Sequence, residues 1–322
     1  MTTTARPQFT LSQAALALVI ALFLLVFLAI PVFTVIYAAF TSNGSFTLSH
    51  FQSFFHLTLM REAFYNSLYV GGMSVVISSI LALPLAYFIT RFQFRGALAI
   101  QTLGVLPLIM PPFVGATAMQ LLFGRSGSLN LILGDWFGIN LPIMQGLNAV
   151  IFVEALHYFP FILLNLTVAL NNIDSAMEES AQNLGASGFR LFRRIVFPLA
   201  MPGYVAGAAL VFLKVFDDVA TPLVLNVTSI LAAQAYLRIT SIGIDDPIGY
   251  VASVIMVVAS MAALWGSTWA MRGKEYATLQ RGGSSLATSA LVRRSMKGVT
   301  RARNCCKRSG LPCFSIGPRN KS

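Results

Sequence analysis

The chain has 322 residues, of which 56% are hydrophobic and only 10% are charged, and its formal net charge is +11. Ordinary soluble domains carry roughly 25% charged residues, so this composition excludes a typical soluble enzyme or binding module. Apolar segments of about 20 residues are long enough to cross the hydrocarbon core of a bilayer. We therefore expect an all-α, polytopic membrane protein.

Six apolar segments of sufficient length follow one another along the chain. We predict membrane spans over residues 11–40, 66–90, 98–123, 147–170, 200–225 and 248–271. The first segment is too long for the apolar part of a signal peptide and lacks a small-residue cleavage site, so we interpret it as a retained span. The predicted organisation is a cytoplasmic N-terminus (1–10), a six-span domain (11–280) and a basic tail (281–322).

The distribution of Lys and Arg predicts the orientation. The loop between segments two and three, the loop between segments four and five, and the stretch after segment six are basic, whereas each other loop holds one basic residue. Basic loops are retained in the cytoplasm. With six spans, both termini and residues 171–199, hereafter the 171–199 loop, are predicted to be cytoplasmic.

Proline is frequent within the predicted spans, and one segment carries the run LPLIMPPF. Membrane helices tolerate such breaks where neighbouring helices or water satisfy the freed backbone groups. The prolines therefore have two interpretations, kinks for packing or broken helices that line a pathway. The residues concerned are Pro84, Pro107, Pro111, Pro112, Pro160, Pro202 and Pro222.

The 171–199 loop begins like an amphipathic helix that is compatible with water. Ser175 followed by Glu178 predicts a capping box. Acidic residues in the first half and arginines in the second half suit the helix dipole. Helices that lie on lipid are rich in Lys and Arg along their polar face, so the acidic first half disfavours lipid binding. Packing against the rest of the chain and docking of a partner protein both remain open.

The second half of the 171–199 loop predicts a bend and a stop. Apolar residues recur at three-to-four spacing between positions 177 and 195, which indicates an apolar stripe. Gly185 and Gly188 predict a bend or a helix-turn-helix. Pro198 and Pro202 predict the end of the second helix before span five.

The same loop carries a family signature, "EAA…G………I.LP". The pattern departs at Ser180, where alanine is usual, and at Phe197, where leucine is usual. The matching residues are Glu179, Ala181, Gly185, Ile195 and Pro198. On these residues the chain resembles the integral-membrane permease subunits of binding-protein-dependent ABC importers, and the span layout extends the resemblance over residues 10–280.

The resemblance implies a type I ABC importer permease fold and a division of labour among subunits. In this family the loop forms a coupling helix that inserts into a groove on a cytoplasmic ABC ATPase dimer. A periplasmic solute-binding protein delivers the solute, and a second permease half completes the pathway in the bacterial inner membrane. The sequence has no GxxxxGK[ST] phosphate loop, so we expect a subunit that is not an enzyme, with no bound cofactor and ATP consumed by a partner.

Span five contains the ionisable residues Lys214, Asp217 and Asp218 in FLKVFDDVATPLVLN. Ionisable residues inside a span are costly and indicate functional sites. Their spacing of three and four residues allows them to pair on one helix face, or an aspartate can line the pathway or gate. Glu154 and His157 in span four present the same choice. The His, Cys, Asp and Glu residues do not have metal-ligand spacing, so no metal site is expected.

The solute is suggested by a closer resemblance. The stretches PPFVGATAMQLLFGRSG, LHYFPFILLNL, KVFDDVATPLVLN, ITSIGIDDPIGY and YATLQRGG look most similar to permeases for 2-aminoethylphosphonate, with those for ferric iron and polyamines as alternatives. Two other classes remain open. A secondary transporter driven by an ion gradient would use Asp217, Asp218 or Glu154 for proton coupling, and a membrane scaffold would depend on no solute.

The tail differs from the rest of the chain. Residues 281–322 hold ten Lys or Arg, no acidic residue and all three cysteines, whereas residues 1–280 hold twelve basic and eleven acidic residues. We expect either a frameshifted or premature end in place of a second six-span half, or a disordered cytoplasmic tail attracted to anionic membrane lipid. Binding of nucleic acid is not expected at a membrane surface.

Overall fold

The computed structural model describes residues 11–42, 44–92, 94–138, 142–241, 243 and 246–272. The predicted N-terminal segment 1–10 and the predicted tail 281–322 lie outside the described residues. The described chain is helical apart from one short antiparallel hairpin, Thr41–Ser42 paired with Ser45–Phe46. The all-α prediction is confirmed.

The helices are numbered in chain order. They are α1 (Leu11–Leu24), α2 (Ile30–Phe40), α3 (Ser49–His56), α4 (Thr58–Arg91), α5 (Ala97–Val105), α6 (Pro112–Phe123), α7 (Ser128–Phe137), α8 (Gly146–Asn171), α9 (Ser175–Asn183), α10 (Gly188–Leu191), α11 (Phe197–Asp217), α12 (Ala220–Val224), α13 (Leu231–Ser241) and α14 (Pro247–Arg272). A π-helical turn joins α1 to α2 (Leu25–Ala29), and another joins α10 to α11 (Phe192–Val196). Two 3₁₀ turns cover Leu106–Ile109 and Pro142–Met144.

Five helices in the described residues are long and apolar enough to cross a membrane: 15–40, 58–91, 146–171, 188–217 and 247–271. A sixth span results if the bent pair Ala97–Ile109 and Pro112–Trp136 is counted as one. The chain bends by 106° between the two parts of this pair. The predicted total of six spans therefore agrees with the fold only when the third span is broken rather than straight.

The break in the third span lies inside LPLIMPPF. Met110 is extended, with φ −80° and ψ 138°, and Pro111 follows with ψ 141°. A residue before proline is disfavoured in the α region, and a proline has no N–H for the helical ladder. Pro112 then begins α6 in the first turn, where a missing N–H costs little. The consecutive prolines thus end one helix and begin another.

Span five differs from its predicted course at both ends. The helix is continuous from Gly188 to Asp217, so Pro198 and Pro202 do not end the amphipathic helix before the span, and that prediction is wrong. Pro198 lies in the first turn of α11 directly after a π-helical turn, and Pro202 lies inside α11. At the other end, Asp218 leaves the helix with ψ 121°. The predicted span 200–225 is therefore two helices.

The central part of the fold is the packing of α4, α8 and α11. Two glycines one helical turn apart, Gly203 and Gly207, let α11 approach α8 closely. A Cβ added at Gly207 would lie 2.7 Å from the Ile162 Cα atom, and one at Gly203 would lie 2.4 Å from the Ala169 Cβ atom. Small residues at this spacing are typical of membrane helix crossings. A second buried cluster joins α2, α3, α13 and α14, with Phe54 among its members.

Candidate functional site

The first helix of the 171–199 loop begins at a cap that differs from the predicted one. Asp174 is the N-cap residue, and its carboxylate accepts a hydrogen bond of 3.0 Å from the amide of Ala176. Ser175 is already helical, so Ser175 and Glu178 do not stand in capping-box register. The capping-box prediction is wrong by one residue, because an aspartate immediately before the serine is an equally good cap.

The bend in the loop is built around Gly185. Its φ of +86° lies in the left-handed region, which glycine adopts without strain. The Gly185 amide donates to the carbonyl of Gln182 at 2.9 Å, and the Ala186 amide donates to the carbonyl of Ala181 at 3.0 Å. These two bonds form a Schellman motif that ends α9. The helix-turn-helix predicted from Gly185 and Gly188 is confirmed.

The signature residues fall into three physical environments. Ala181 is buried with Leu191, so it fixes the two helices of the loop to each other. Ile195 is half-buried against the same core, and Pro198 begins α11. Glu179 is exposed on α9. The motif therefore combines residues that shape the loop with one acidic residue that the loop presents outward.

Two large apolar side chains are exposed on this loop. Leu184 is 90% exposed at the end of α9, and Phe189 is 75% exposed in α10. The predicted apolar stripe is therefore divided, since Ala181 and Leu191 face the core whereas Leu184 does not; Phe189 lies outside the predicted stripe. Where such side chains form a contiguous apolar patch, the patch is typical of a protein interaction site.

Arg91, at the C-terminus of α4, ties the loop to the membrane helices. Its guanidinium forms an ion pair with Glu178 of α9. The same Nη2 atom lies 3.5 Å from the carbonyl oxygen of Leu170, in the last turn of α8. Arg91 and Glu178 retain only 21% and 13% of their side-chain exposure. Sequence reasoning missed this contact.

The ion pair also bears on the orientation. Arg91 belongs to the basic loop between segments two and three, and Glu178 belongs to the 171–199 loop. Their contact places both basic loops at the same end of the helix bundle. The predicted orientation requires this arrangement, and which side of the membrane that end faces stays a prediction.

The ionisable residues of span five do not share one face. Lys214 and Asp217 are exposed on α11, whereas Asp218 is buried at the break between α11 and α12. No ion pair in the described part of the chain involves Lys214. The Ser260 hydroxyl of α14 donates to Asp217 at 3.4 Å. Lys214 is close enough to Asp217 to interact with it electrostatically, whereas Asp218 lies beyond the end of α11, so the three residues do not pair on one helix face.

Asp218 holds the break in shape. Its carboxylate accepts from the amide of Ala220 at 2.8 Å and from the hydroxyl of Thr221 at 2.6 Å, so it caps α12. Glu154 of α8 lies beside Asp218 and Thr221 and is only 1% exposed. Neither carboxyl oxygen of Glu154 has a hydrogen bond of good geometry within the described residues. The structure thus brings together two acidic residues that the sequence placed in separate spans.

His157 lies one turn after Glu154 and is also buried. Its ring packs edge-on against the Tyr158 ring at 4.7 Å, and Asp218 is close enough to interact with it electrostatically. Within the described residues, no group of three or more His, Cys, Asp or Glu side chains is arranged to hold a metal ion. The intramembrane site is therefore a compact acidic cluster between α8 and the break in span five.

Comparison with known proteins gives relatives on both sequence and fold. A ferric transport system permease protein from Actinobacillus pleuropneumoniae is 30% identical over 182 residues, which is 56% of this chain and 26% of that protein. A molybdenum transport system permease protein from Haemophilus influenzae is 35% identical over 148 residues, which is 44% of this chain and 64% of that protein. The chain therefore matches about a quarter of the length of the first and under two thirds of the second.

A solved structure of a bacterial ABC transporter involved in the import of the acidic polysaccharide alginate has the same fold. The TM-score is 0.66 at 19% identity, and the match covers 80% of this chain and 94% of that one. Residues 74–272 match the family described as "Binding-protein-dependent transport system inner membrane component", and this match includes α8, the 171–199 loop and the acidic cluster. The chain therefore belongs to this family of inner-membrane transport components.

Proposed function

We propose that this chain is a permease subunit of an ATP-driven importer and that its 171–199 loop docks onto a separate cytoplasmic ATPase dimer. The observation that carries the proposal is the build of the loop. A Schellman turn at Gly185 and the buried Ala181 make it rigid, while Glu179, Leu184 and Phe189 remain exposed. The loop is thus packed against the core through Ala181 and leaves one acidic and two large apolar side chains exposed.

The exposed apolar side chains of the loop favour contact with a partner protein over contact with water. Burial of apolar area is favourable by roughly 25 cal/mol per Å². Leu184 and Phe189 are exposed in the single chain, so most of this favourable free energy is not realised there. It would be realised if both side chains were buried in a groove on a partner. Glu179, which is also exposed, supplies a charge that can pair with a basic residue of the partner and so fix the orientation.

A second permease half is supported by a different surface. Lys214 and Asp217 are exposed on α11, a helix long and apolar enough to span the membrane. Charged side chains in spans avoid lipid and face the bundle interior or a water-filled cavity. We infer that this face of α11 borders the second half or the solute pathway. The acidic pair of Glu154 and Asp218 is buried instead, and we propose that it is part of the gate.

The proposed mechanism is a rigid-body movement of the loops and the spans attached to them. ATP-driven closure of the ATPase dimer would bring the two docked loops together, and each loop would carry the ends of its spans with it. ATP and the solute-binding protein can shift the permease between inward-open and outward-open states only because they bind these states differently. The broken third and fifth spans are the places where such a movement would reshape the pathway.

For the solute we propose a small phosphonate such as 2-aminoethylphosphonate, delivered by a periplasmic binding protein. The five stretches that resemble phosphonate-type permeases support this choice, and the similarity to a ferric permease makes ferric iron the alternative. Thermal-shift measurements on the purified cognate binding protein decide between them. Stabilisation by phosphonates is expected, and stabilisation by ferric iron alone would overturn the phosphonate assignment.

Docking is tested by co-purification of the ATPase with four variants of the full chain. Glu179→Ala removes the exposed charge, and Glu62→Ala makes the same change near the opposite end of the 34-residue α4 from Arg91. Gly185→Ala forces a side chain into a left-handed position, at a cost of roughly 1–2 kcal/mol. Gly44→Ala pays a similar backbone cost in the hairpin, where φ is +78°.

We expect Glu179→Ala and Gly185→Ala to retain less ATPase, by about 5- to 30-fold for the glycine variant if its whole backbone cost falls on the docked loop. Glu62→Ala and Gly44→Ala should retain as much as the unmodified chain. Equal retention by all four variants would contradict docking through this loop.

A further inference from the structure

Two consecutive glutamates on α9 face different surroundings. Glu178 is largely buried and paired with Arg91, whereas Glu179 is exposed. Side chains at adjacent helix positions point about 100° apart, so one helix can present an acidic residue to its own protein and another to a partner. The family signature covers the second glutamate only.

Arg91 connects three helices at one point. It is the last residue of α4, it pairs with Glu178 of α9, and it contacts the Leu170 carbonyl in the last turn of α8. A cation near two helix C-termini is favoured by their dipoles, and the carbonyls of the last turn lack partners within the helix. The α4 and α8 helices are also packed together in the main core.

The remaining attachment of α9 is at its other end. Ala181 is buried against the second helix of the loop, and Asp174 caps the first turn locally. Within the described residues, Arg91–Glu178 is the ion pair that joins the first half of α9 to a spanning helix, in addition to the short connection from α8 through residues 172–174. A helix fixed at one end only would pivot when a partner pushed on its exposed face.

We propose that Arg91 is a positioning residue whose ion pair with Glu178 locks α9 to the ends of spans two and four, so that a push on the docked loop moves those spans. This inference rests on the proposed docking of an ATPase. Arg91 itself does not contact the ATPase, and its loss uncouples the movement without releasing the partner.

The test uses the full chain reconstituted with its ATPase and binding protein in proteoliposomes. Four variants are compared: Arg91→Gln, Glu178→Gln, Arg91→Lys and the charge-reversed pair Arg91→Glu with Glu178→Arg. Three quantities are measured: ATPase retained, ATP hydrolysed, and solute imported per ATP. The last is a ratio, so a smaller amount of folded complex does not change it.

We expect both glutamine variants to keep the ATPase but to import roughly 2- to 30-fold less solute per ATP, the range for residues that modulate coupling. Arg91→Lys should retain part of the coupling, because it keeps the charge but loses the forked geometry. The charge-reversed pair should recover part of it, because the ion pair is restored but a glutamate at position 91 cannot donate to the Leu170 carbonyl and is disfavoured at the helix C-termini. Normal coupling in Arg91→Gln, or no recovery in the reversed pair, would overturn the proposal.

Hydrogen exchange on the permease alone separates this inference from the proposed function. The amides of 175–183 should exchange faster in Arg91→Gln than in the unmodified chain, whether or not an ATPase binds. Unchanged exchange would refute the lock even if the ATPase co-purifies. Failure of the unmodified chain to retain any ATPase would refute the proposed docking, while the exchange result would still decide on the lock.

Discussion

The close crossing of α8 and α11 predicts that one substitution, glycine to alanine, has opposite effects at two places. At Gly207 a Cβ would lie 2.7 Å from the Ile162 Cα atom and 2.9 Å from the Phe161 carbonyl oxygen. Optimal carbon–carbon separations are about 3.5–4.0 Å, so the helices would have to move apart by about 1 Å. At Gly72, in the middle of α4, a Cβ would meet no atom within 4 Å.

The magnitudes follow from two terms. Overpacking costs roughly 1–3 kcal/mol, and replacing glycine in a helix gains roughly 0.5–1 kcal/mol. Gly207→Ala should therefore lower the free energy of unfolding by up to about 2.5 kcal/mol, whereas Gly72→Ala should leave it unchanged or raise it by up to about 1 kcal/mol.

The assay is the apparent melting temperature of the detergent-solubilised chain at a fixed heating rate. A loss of 1 kcal/mol corresponds to roughly 2–4 °C for a domain of this size. We expect a decrease for Gly207→Ala and none for Gly72→Ala. The reverse order, or equal shifts, would show that α8 and α11 do not meet at this glycine.

Two further pairs of variants compare residues of the same type, one pair at adjacent positions and one pair two turns apart on α4. Asp218→Ala removes the hydrogen bonds to the first turn of α12 and should lower the free energy of unfolding by roughly 1–3 kcal/mol in the same assay. Asp217 is exposed, so Asp217→Ala should change it by no more than about 0.5 kcal/mol. Similar losses in the two variants would contradict the capping role of Asp218. The Ser67 hydroxyl oxygen accepts a hydrogen bond of 2.8 Å from the Leu231 amide, so Ser67→Ala should cost roughly 1–3 kcal/mol. Ser74→Ala removes a buried hydroxyl that has no hydrogen-bond partner within the described residues and should cost nothing; a larger loss at Ser74 would refute this comparison.

Hydrophobic length predicted the spans well where a helix runs straight through. The predicted segments 147–170 and 248–271 correspond to helices 146–171 and 247–272. Such spans can be predicted from the sequence because a lipid environment requires a continuous apolar run whose backbone groups are hydrogen-bonded within the helix. The family signature likewise located the bent 171–199 loop, since Gly185 and Ala181 serve its local geometry.

Two features depend on contacts that a span pattern does not contain. Arg91 and Glu178 are 87 residues apart, so their pairing follows only from the packing of α4 against α8. The break at Asp218 was missed although a signal was present: an aspartate followed by Thr221 and Pro222 is a typical helix start. Apolar residues on both sides concealed it, because hydropathy does not distinguish one helix from two.

The GxxxG spacing of Gly203 and Gly207 was also visible in the sequence. It indicates a close helix crossing, but it does not name the partner helix. In the structure the partner helix is α8. The same helix contains Glu154, which lies beside the break in span five.

An ATPase is proposed to bind the exposed residues of the 171–199 loop. This binding is tested most directly by crosslinking from Leu184→Cys, in a chain whose Cys305, Cys306 and Cys313 are replaced by serine. Leu184 is 90% exposed at the tip of α9, so we predict a crosslink to the ATPase that is absent from the matched Glu62→Cys chain. A complex that hydrolyses ATP and imports solute but gives no crosslink at position 184, or gives one only at position 62, would contradict the claim.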